Sequence, residues 1–348
     1  METALIFKIG VLSVLSFIIA FACTPILTHF LYKYKMGKQI RDSKSAPIFA
    51  ALHKDKAGTP TMGGVLIWVT VLLLALLFYV LGHFFDGIFD KLNFLTREQT
   101  LLPLGIMVFA AVIGLIDDYL GVRKIGPKGG GLSLLMRLGI ITAIAAVASF
   151  WFYFKLDWDV IHIPFAGNYL LGWWYIPVFI FIVVATAFSV NETDGLDGLA
   201  GGTMATTFAA LGAIAFAQGK FELAAFCAVI MGALIAFLWF NINPARFFMG
   251  DTGAISLGIT IGIVAMLTNT ALLLPIIGLI FMIETLSVIV QTLSKKIRKK
   301  KIFHSTPIHH HFQALGWPEP KIVMRFWIIS AITSVAGVIV FLMDKGWY

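Results

Sequence analysis

Carboxylates at the ends of apolar stretches are the residues of this chain best able to do chemistry. Asp117 and Asp118 close one such stretch (GLIDDYLG), Asp194 and Asp197 lie in NETDGLDGLAGG, and Asp251 lies in NINPARFFMGDTG. His309, His310 and His311 follow in STPIHHHF. Keeping ionised groups beside hydrocarbon is costly, so acids placed there usually have a function. Helix capping is the alternative, and it suits Asp251, which precedes an apolar run. It does not suit Asp117 and Asp118, which end their run where the helix macrodipole disfavours negative charge. Carboxylates gathered on one face repel unless a hard cation joins them. Mg²⁺ takes one or two carboxylates plus phosphate oxygens, which suits phosphoryl chemistry. Zinc is the rival for the histidines, yet regular backbone does not aim three consecutive side chains at one metal. The expectation is that Asp117, Asp118, Asp194, Asp197 and Asp251 gather about one Mg²⁺ at the lipid boundary.

Glycines and bases surround these acids. DGLDGLAGG and MGDTG each open an apolar run, and glycine-rich helix starts let backbone N–H groups approach an anion, here a diphosphate. Packing between membrane helices is the ordinary use of such glycines. His53 and Lys56 precede a Thr-Pro-Thr segment and a glycine pair in HKDKAGTPTMGG. The basic run KKIRKKK, 295–301, reads as orientation and headgroup attraction. Glu284, with Ser287 and Gln291 inside an apolar run, reads either as a satisfied interhelical contact or as a functional group.

The elements that position these residues are membrane helices. The chain of 348 residues is 59% hydrophobic and 13% charged, with mean hydropathy +0.92. Soluble domains carry about 25% charged residues, so lipid must be the solvent along most of this chain. Apolar runs fall at 4–32, 62–82, 100–120, 132–154, 173–190, 199–217, 221–240, 253–268, 271–293 and 323–343, about ten spans in one integral membrane domain, 1–348. The first run is too long for a cleaved leader, so none is expected. Segments 33–61, 121–131, 191–198, 241–252 and 294–322, with Arg137 and Arg325 at span ends, hold 20 of the 26 Lys and Arg residues. The positive-inside rule makes that side cytoplasmic and both termini periplasmic. Trp151, Trp158, Trp173, Trp174 and Trp347 fall near outer boundaries, as an interfacial belt does. Partial alternation over 155–170 predicts a short external β-hairpin. Cys23 and Cys227 sit in apolar runs and read as small hydrophobes.

HKDKAGTPTMGG, LIDDY, NETDGLDGLAGG, NPARFFMGDTG and PIHHHF…GWPE together resemble the phospho-N-acetylmuramoyl-pentapeptide transferase (MraY) family, within the polyprenyl-phosphate N-acetylhexosamine-1-phosphate transferase superfamily. The likeness runs from about residue 37 to 329. It implies a ten-helix, homodimeric enzyme of the bacterial inner membrane with a cytoplasmic cleft. Its donor would be UDP-MurNAc-pentapeptide, its acceptor undecaprenyl phosphate, its products lipid I and UMP, and its cofactor Mg²⁺, serving peptidoglycan synthesis. Membrane lipid is its medium, and no nucleic acid is expected. By matching positions, Asp117 is the proposed base for the lipid phosphate, Asp118 its neighbour, and Asp251 the magnesium ligand. Asn191, Asp194 and Asp197 line the nucleotide site. Lys56, Asn241 and Phe248 are associated with uridine, with Thr61 and Gly250 beside them, and His309, His310 and His311 lie near the diphosphate.

Three positions depart from the family pattern. Gly121 stands where the family usually has lysine, leaving Arg123, Lys124 and Lys128 as replacements. Glu192 replaces a residue often apolar, and Gln313 stands where glutamate often follows the histidines. One rival activity is transfer of GlcNAc-1-phosphate from UDP-GlcNAc to a polyprenyl phosphate. Another is secondary transport, against which stand the acids' confinement to one face and the lack of visible repeats.

Overall fold

A computed structural model describes residues 2–37, 56, 58–85, 87–97, 99–127 and 130–346; His53, Lys128 and Trp347 lie outside the described residues. In chain order the helices are α1 (Glu2–Lys33), α2 (Val65–Phe84), α3 (Ile88–Leu92), α4 (Leu101–Val122), α5 (Leu134–Lys155), α6 (Tyr175–Thr193), α7 (Leu199–Ala217), α8 (Phe221–Asn241), α9 (Asp251–Leu267), α10 (Leu274–Ile277), α11 (Leu279–Ile297), α12 (Ile308–Ala314) and α13 (Glu319–Asp344). Strands β1 (Val160–Ile163) and β2 (Gly167–Leu170) form an antiparallel hairpin with Val160 opposite Leu170, at the predicted place.

Among the described residues eight helices are long and apolar enough to cross a membrane, and α10 with α11 counts as a ninth if the bent pair is one span. The shorter α9, 17 residues, is the remaining apolar helix. All ten predicted runs thus fall on helices, but the run at 271–293 is not straight. It turns through 87° at Gly278, between α10 and α11. Pro275 near the start of α10 and Gly278, which ends α10 with its N–H on the Leu274 carbonyl at 2.7 Å, mark the bend.

Helix α9 forms the centre. It packs on α4 and α6 and is buried along its whole length, while α7 and α8 pack together beside it. The peripheral helices turn apolar side chains outward, such as Leu73, Leu76 and Leu77 of α2 and Phe181 of α6. With no water-facing polar stripe to explain them, these side chains mark the lipid-facing wall. Small residues let the helices close up. A Cβ on Gly114 of α4 would stand 2.5 Å from the Asp251 carbonyl oxygen, and one on Gly232 of α8 would stand 2.2 Å from that of Ser13 in α1. The same α1–α8 contact carries polar ties: Ser16 donates to the Val229 carbonyl at 2.6 Å, and Lys8 pairs with Glu222 at 2.6 Å.

The connecting segments sort by side as the charge pattern predicts. Bonds join 56–64, 117–137, 191–198, 241–252 and 304–319 at one end. At the other, His162 binds Asp344 and Asn269, and Gln218 binds the Thr268 carbonyl. Trp151, Trp173 and Trp174 are exposed near this second end, whereas Trp158 is half-buried, with the Lys220 ammonium 5.3 Å from its ring centre. Cys23 and Cys227 are both free thiols.

Candidate active site

Asp117 and Asp251 come from different helices and meet on one guanidinium. Arg137, near the start of α5, places Nε 2.6 Å from Asp117 Oδ2 and Nη2 3.0 Å from Asp251 Oδ2. The first contact is a close ion pair, without the alignment of a hydrogen bond. Asp117 is 2% exposed, and the Leu132 N–H donates to its other oxygen at 2.6 Å. That bond folds the glycine loop before α5 onto the acid. A Cβ on Gly131, where φ is +81°, would lie 2.8 Å from Asp117 Oδ1. Asn191 Nδ2 donates to Asp251 Oδ1 at 2.7 Å and fixes that carboxylate from the α6 side. Buried carboxylates need such partners, because removing one leaves a charge without compensation.

Asp118 has a different task. Its two carboxylate oxygens accept the N–H groups of Asp251 and Thr252 at 3.1 and 3.0 Å, so it caps the start of α9. Thr61 Oγ1 lies 3.5 Å from the same carboxylate. Capping therefore does account for this acid. The macrodipole disfavours Asp118 on its own helix, but the positive end of another helix receives it. Gly250 makes that approach possible, since it adopts φ +77° and a Cβ there would stand 2.4 Å from Asp118 Oδ2. The α9 start thus holds the chain's own carboxylate, where the sequence suggested a diphosphate. At the α7 start, Gly198 (φ +81°) donates its N–H to Asn241 Oδ1 at 2.9 Å. Asn241 Nδ2 donates in turn to the Phe247 carbonyl at 2.8 Å, so this side chain clamps two motifs together.

A second charged group surrounds Lys56. Its ammonium lies 2.6 Å from Asp197 and 2.5 Å from Glu319, and 5.9 Å from the centre of the Phe248 ring. The Asp197 N–H donates to Glu319 Oε1 at 2.6 Å, and Asn243 Nδ2 and the Ala245 N–H donate to Asp197 Oδ2. Backbone bonds bind the two groups into one floor. Gly63 and Gly64 donate to the Phe248 and Met249 carbonyls, each at 2.8 Å, and Phe248 donates to the Pro60 carbonyl at 2.8 Å. A Cβ on Gly64 would lie 2.4 Å from Gly253, which is why two glycines stand in TPTMGG.

The chain matches two family models and several named proteins. The Glycosyl transferase family 4 model matches residues 100–269, and the phospho-N-acetylmuramoyl-pentapeptide-transferase signature 1 matches 56–67. A protein of Chloroflexus aggregans named phospho-N-acetylmuramoyl-pentapeptide-transferase is 40% identical over 323 residues, covering 89% of this chain and 83% of the relative. One of Bacillus anthracis with the same name is 37% identical over 341 residues, covering 97% and 98%. This chain belongs to the phospho-N-acetylmuramoyl-pentapeptide-transferase family. It is a multi-pass membrane member of that family.

The five aspartates expected around one ion divide in this family member. Asp117, Asp118 and Asp251 form one group, and Asp197 belongs to the Lys56 group. Asp194 ends α6 and starts the turn between α6 and α7, where its N–H donates to the Asn191 carbonyl at 3.2 Å. Among the described residues no three His, Cys, Asp or Glu side chains converge as a metal cage. The donor chemistry still fits Mg²⁺, which is commonly held by one or two carboxylates plus substrate phosphates. Asp251 supplies hard oxygens, and Arg137 balances its charge and that of Asp117 in this structure.

The cation beside Asp117 is Arg137, and Lys128, one of the three replacements considered for Gly121, lies outside the described residues. Arg123 lies 5.3 Å from the Tyr119 ring centre and Lys124 is exposed, so neither is the partner of Asp117 shown here. Arg137 read only as an orientation charge, although an arginine within the apolar run LLMRLGII is itself expensive and was the available signal. Glu319, in the GWPE motif and the first turn of α13, is a further partner in the site that the sequence reading did not single out.

The three histidines take separate partners on α12. His309 is fully buried, with Nδ1 2.9 Å from Glu284 Oε2, His310 Nδ1 is 2.8 Å from Gln313 Oε1, and His311 Nδ1 accepts the His304 N–H at 3.2 Å. Burial, then the nearby Lys56 charge, pushes His309 down to about 3 and keeps it neutral. Gln313 thus acts as a partner of His310. A cavity of about 600 Å³ lies elsewhere, beside Trp158, His162, Lys220 and Lys345, and holds none of the motif residues. A crevice of about 10 Å³ beside Asp117 and Arg137 is lined mainly by apolar side chains such as Ile140, Ile144 and Ile255.

Proposed function

We propose that this protein transfers phospho-N-acetylmuramoyl-pentapeptide from its UDP carrier to undecaprenyl phosphate, yielding lipid I and UMP in peptidoglycan synthesis. The observation that carries this reading is the meeting of Asp117 and Asp251 at the polar ends of buried membrane helices, within a family whose members carry that name. A prenyl phosphate arrives within the bilayer and a nucleotide from water, so the two can meet only at such a boundary.

In this reading Asp117 orients the acceptor phosphate. That group is already mostly ionised at neutral pH, so positioning contributes more than proton removal. Arg137 balances charge between Asp117 and Asp251 and offers donors to phosphate oxygens. Lys56, Phe248 and Asp197 receive the nucleotide, while Asn191, Asn241, Thr61 and Gly250 hold the motif backbones in register. Asp194 lines the same side, and His309 to His311 border the diphosphate. Asp251 would hold Mg²⁺, which offsets charge on the departing phosphate when bound. On this reading the end with the basic loops faces the cytoplasm of a bacterial inner membrane and both termini lie outside, which the positive-inside rule supports. The family pattern makes a homodimer the expected assembly.

Release of UMP decides the matter. Purified protein with undecaprenyl phosphate should release UMP from UDP-MurNAc-pentapeptide, not from UDP-GlcNAc, and only with Mg²⁺ present. Release from UDP-GlcNAc alone would overturn the donor, and equal release in EDTA would overturn the metal.

A further inference from the structure

Glu284, which the reaction as described leaves unused, forms a buried pair with His309. Both side chains are fully buried, and among the described residues each keeps one polar atom without a hydrogen-bond partner, Oε1 of Glu284 and Nε2 of His309. The other Glu284 oxygen lies 2.9 Å from His309 Nδ1 and 3.5 Å from the His309 N–H, near the start of α12. The imidazole presses on the turn between Asp194 and Asp197. A Cβ on Gly195 would stand 2.3 Å from His309 Nε2, so only glycine fits beneath the ring.

We infer that Glu284 is a positioning residue that locks His309 as the Nδ1–H tautomer, with the Nε2 lone pair turned to the 194–197 turn. The reasoning is one of donors and acceptors. Glu284 Oε2 faces the backbone N–H of His309, so this oxygen acts as an acceptor, and the ring nitrogen beside it is then the donor. The opposite tautomer would bury an Nε2–H with no acceptor, which folded proteins rarely tolerate. A carboxylate that fixes ring tautomer and orientation in this way is common behind functional histidines. The pair therefore sets where Gly195 lies, and with it the turn that carries Asp194 and Asp197. Asp197 holds Lys56, so a shift of the ring reaches the nucleotide side of the site. This consequence rests on the transferase reading, whereas the tautomer assignment does not.

Solid-state NMR of protein labelled with ¹⁵N-histidine reads the tautomer directly, with the His309 signals assigned by their loss in His309→Asn. Nε2 should show the shift of a nitrogen without a proton in the parent and in Glu284→Gln, whose amide oxygen can still accept from Nδ1–H. Glu284→Leu should lose that single state. Its KM for UDP-MurNAc-pentapeptide should rise about 10–100-fold, with a smaller change in kcat, and Glu284→Gln should restore KM. A protonated Nε2 in the parent overturns the assignment, even if Glu284→Leu does not fold. An unchanged tautomer and KM in folded Glu284→Leu overturns the positioning role. If the parent is inactive with this donor, the NMR result still stands for or against the tautomer, and the transferase reading fails separately.

Discussion

The two ends of this membrane bundle are both polar, yet they are built on opposite terms. At the motif end the charges close on one another: Arg137 lies against Asp117 and Asp251, and Lys56 against Asp197 and Glu319. At the hairpin end about 600 Å³ lies open between β1, the α7–α8 turn and the end of α13. Helix α9 links them, 17 residues or about 25 Å long. The contrast teaches that volume is a poor guide to chemistry here. Carboxylates at the closed end are held by directed partners, whereas the open end pairs a histidine with an aspartate and rests a lysine on a tryptophan.

Exchanging side chains at the two ends tests this contrast most severely. Asp117→Asn and Asp251→Ala should each reduce UMP release by roughly 10²–10⁴-fold, with the protein still purified as a folded species. Near-normal turnover in Asp117→Asn would refute its role. At the open end, His162→Phe should leave turnover close to the parent, and a loss as large as that of Asp117→Asn would erase the distinction. Arg137→Met comes next. It strands the buried Asp117 and removes a partner of the half-buried Asp251, so stability should fall by about 3–5 kcal/mol, read as a lower midpoint in thermal unfolding. Arg137→Lys should recover part of it, since lysine supplies the charge without the fork that spans both acids.

The residues that the sequence made legible were those whose expense is local. An acid in an apolar run is costly wherever it ends up, so Asp117 and Asp251 could be picked out before any fold was known. The hairpin and the helices were equally visible, because alternation and apolar runs are properties of a segment alone. Partners were not. Asp118 meets a helix start 133 residues away, and Lys56 meets Glu319 across 263 residues, and nothing in either segment encodes the other. The expectation that five aspartates share one ion failed for this reason. Helix starts and a lysine, supplied by distant segments, take two of them. The bend at Gly278 was hidden because α10 and α11 read as one continuous apolar run.

Proton binding should separate the two ends more gently. His309 is held neutral by burial, far below its usual 6.5, so the folded state binds fewer protons there than the unfolded chain. Its contribution is complete above pH 6.5 and is lost as pH falls below it, by about 2 kcal/mol at pH 5. Lys220, at the open end, is pushed down to about 8 by burial. It too binds fewer protons when folded, so the gain on raising pH falls between about 8 and its ordinary 10.5. Thermal midpoints measured from pH 5 to 10 should rise in both windows. His309→Asn should flatten the lower one and Lys220→Met the upper one.

The smallest effect should come from the cap. Asp118→Ala removes two acceptors from the first N–H groups of α9, and cap removal typically costs about 1 kcal/mol. Asp118→Asn keeps an acceptor oxygen and loses the charge, so it should recover part of the stability. Turnover should separate the readings of this residue. If Asp118 serves only by fixing the position of Asp251, Asp118→Asn will retain much more activity than Asp117→Asn. Equal loss in the two would show that the Asp118 charge itself enters the reaction, and that the closed end uses all three of its carboxylates.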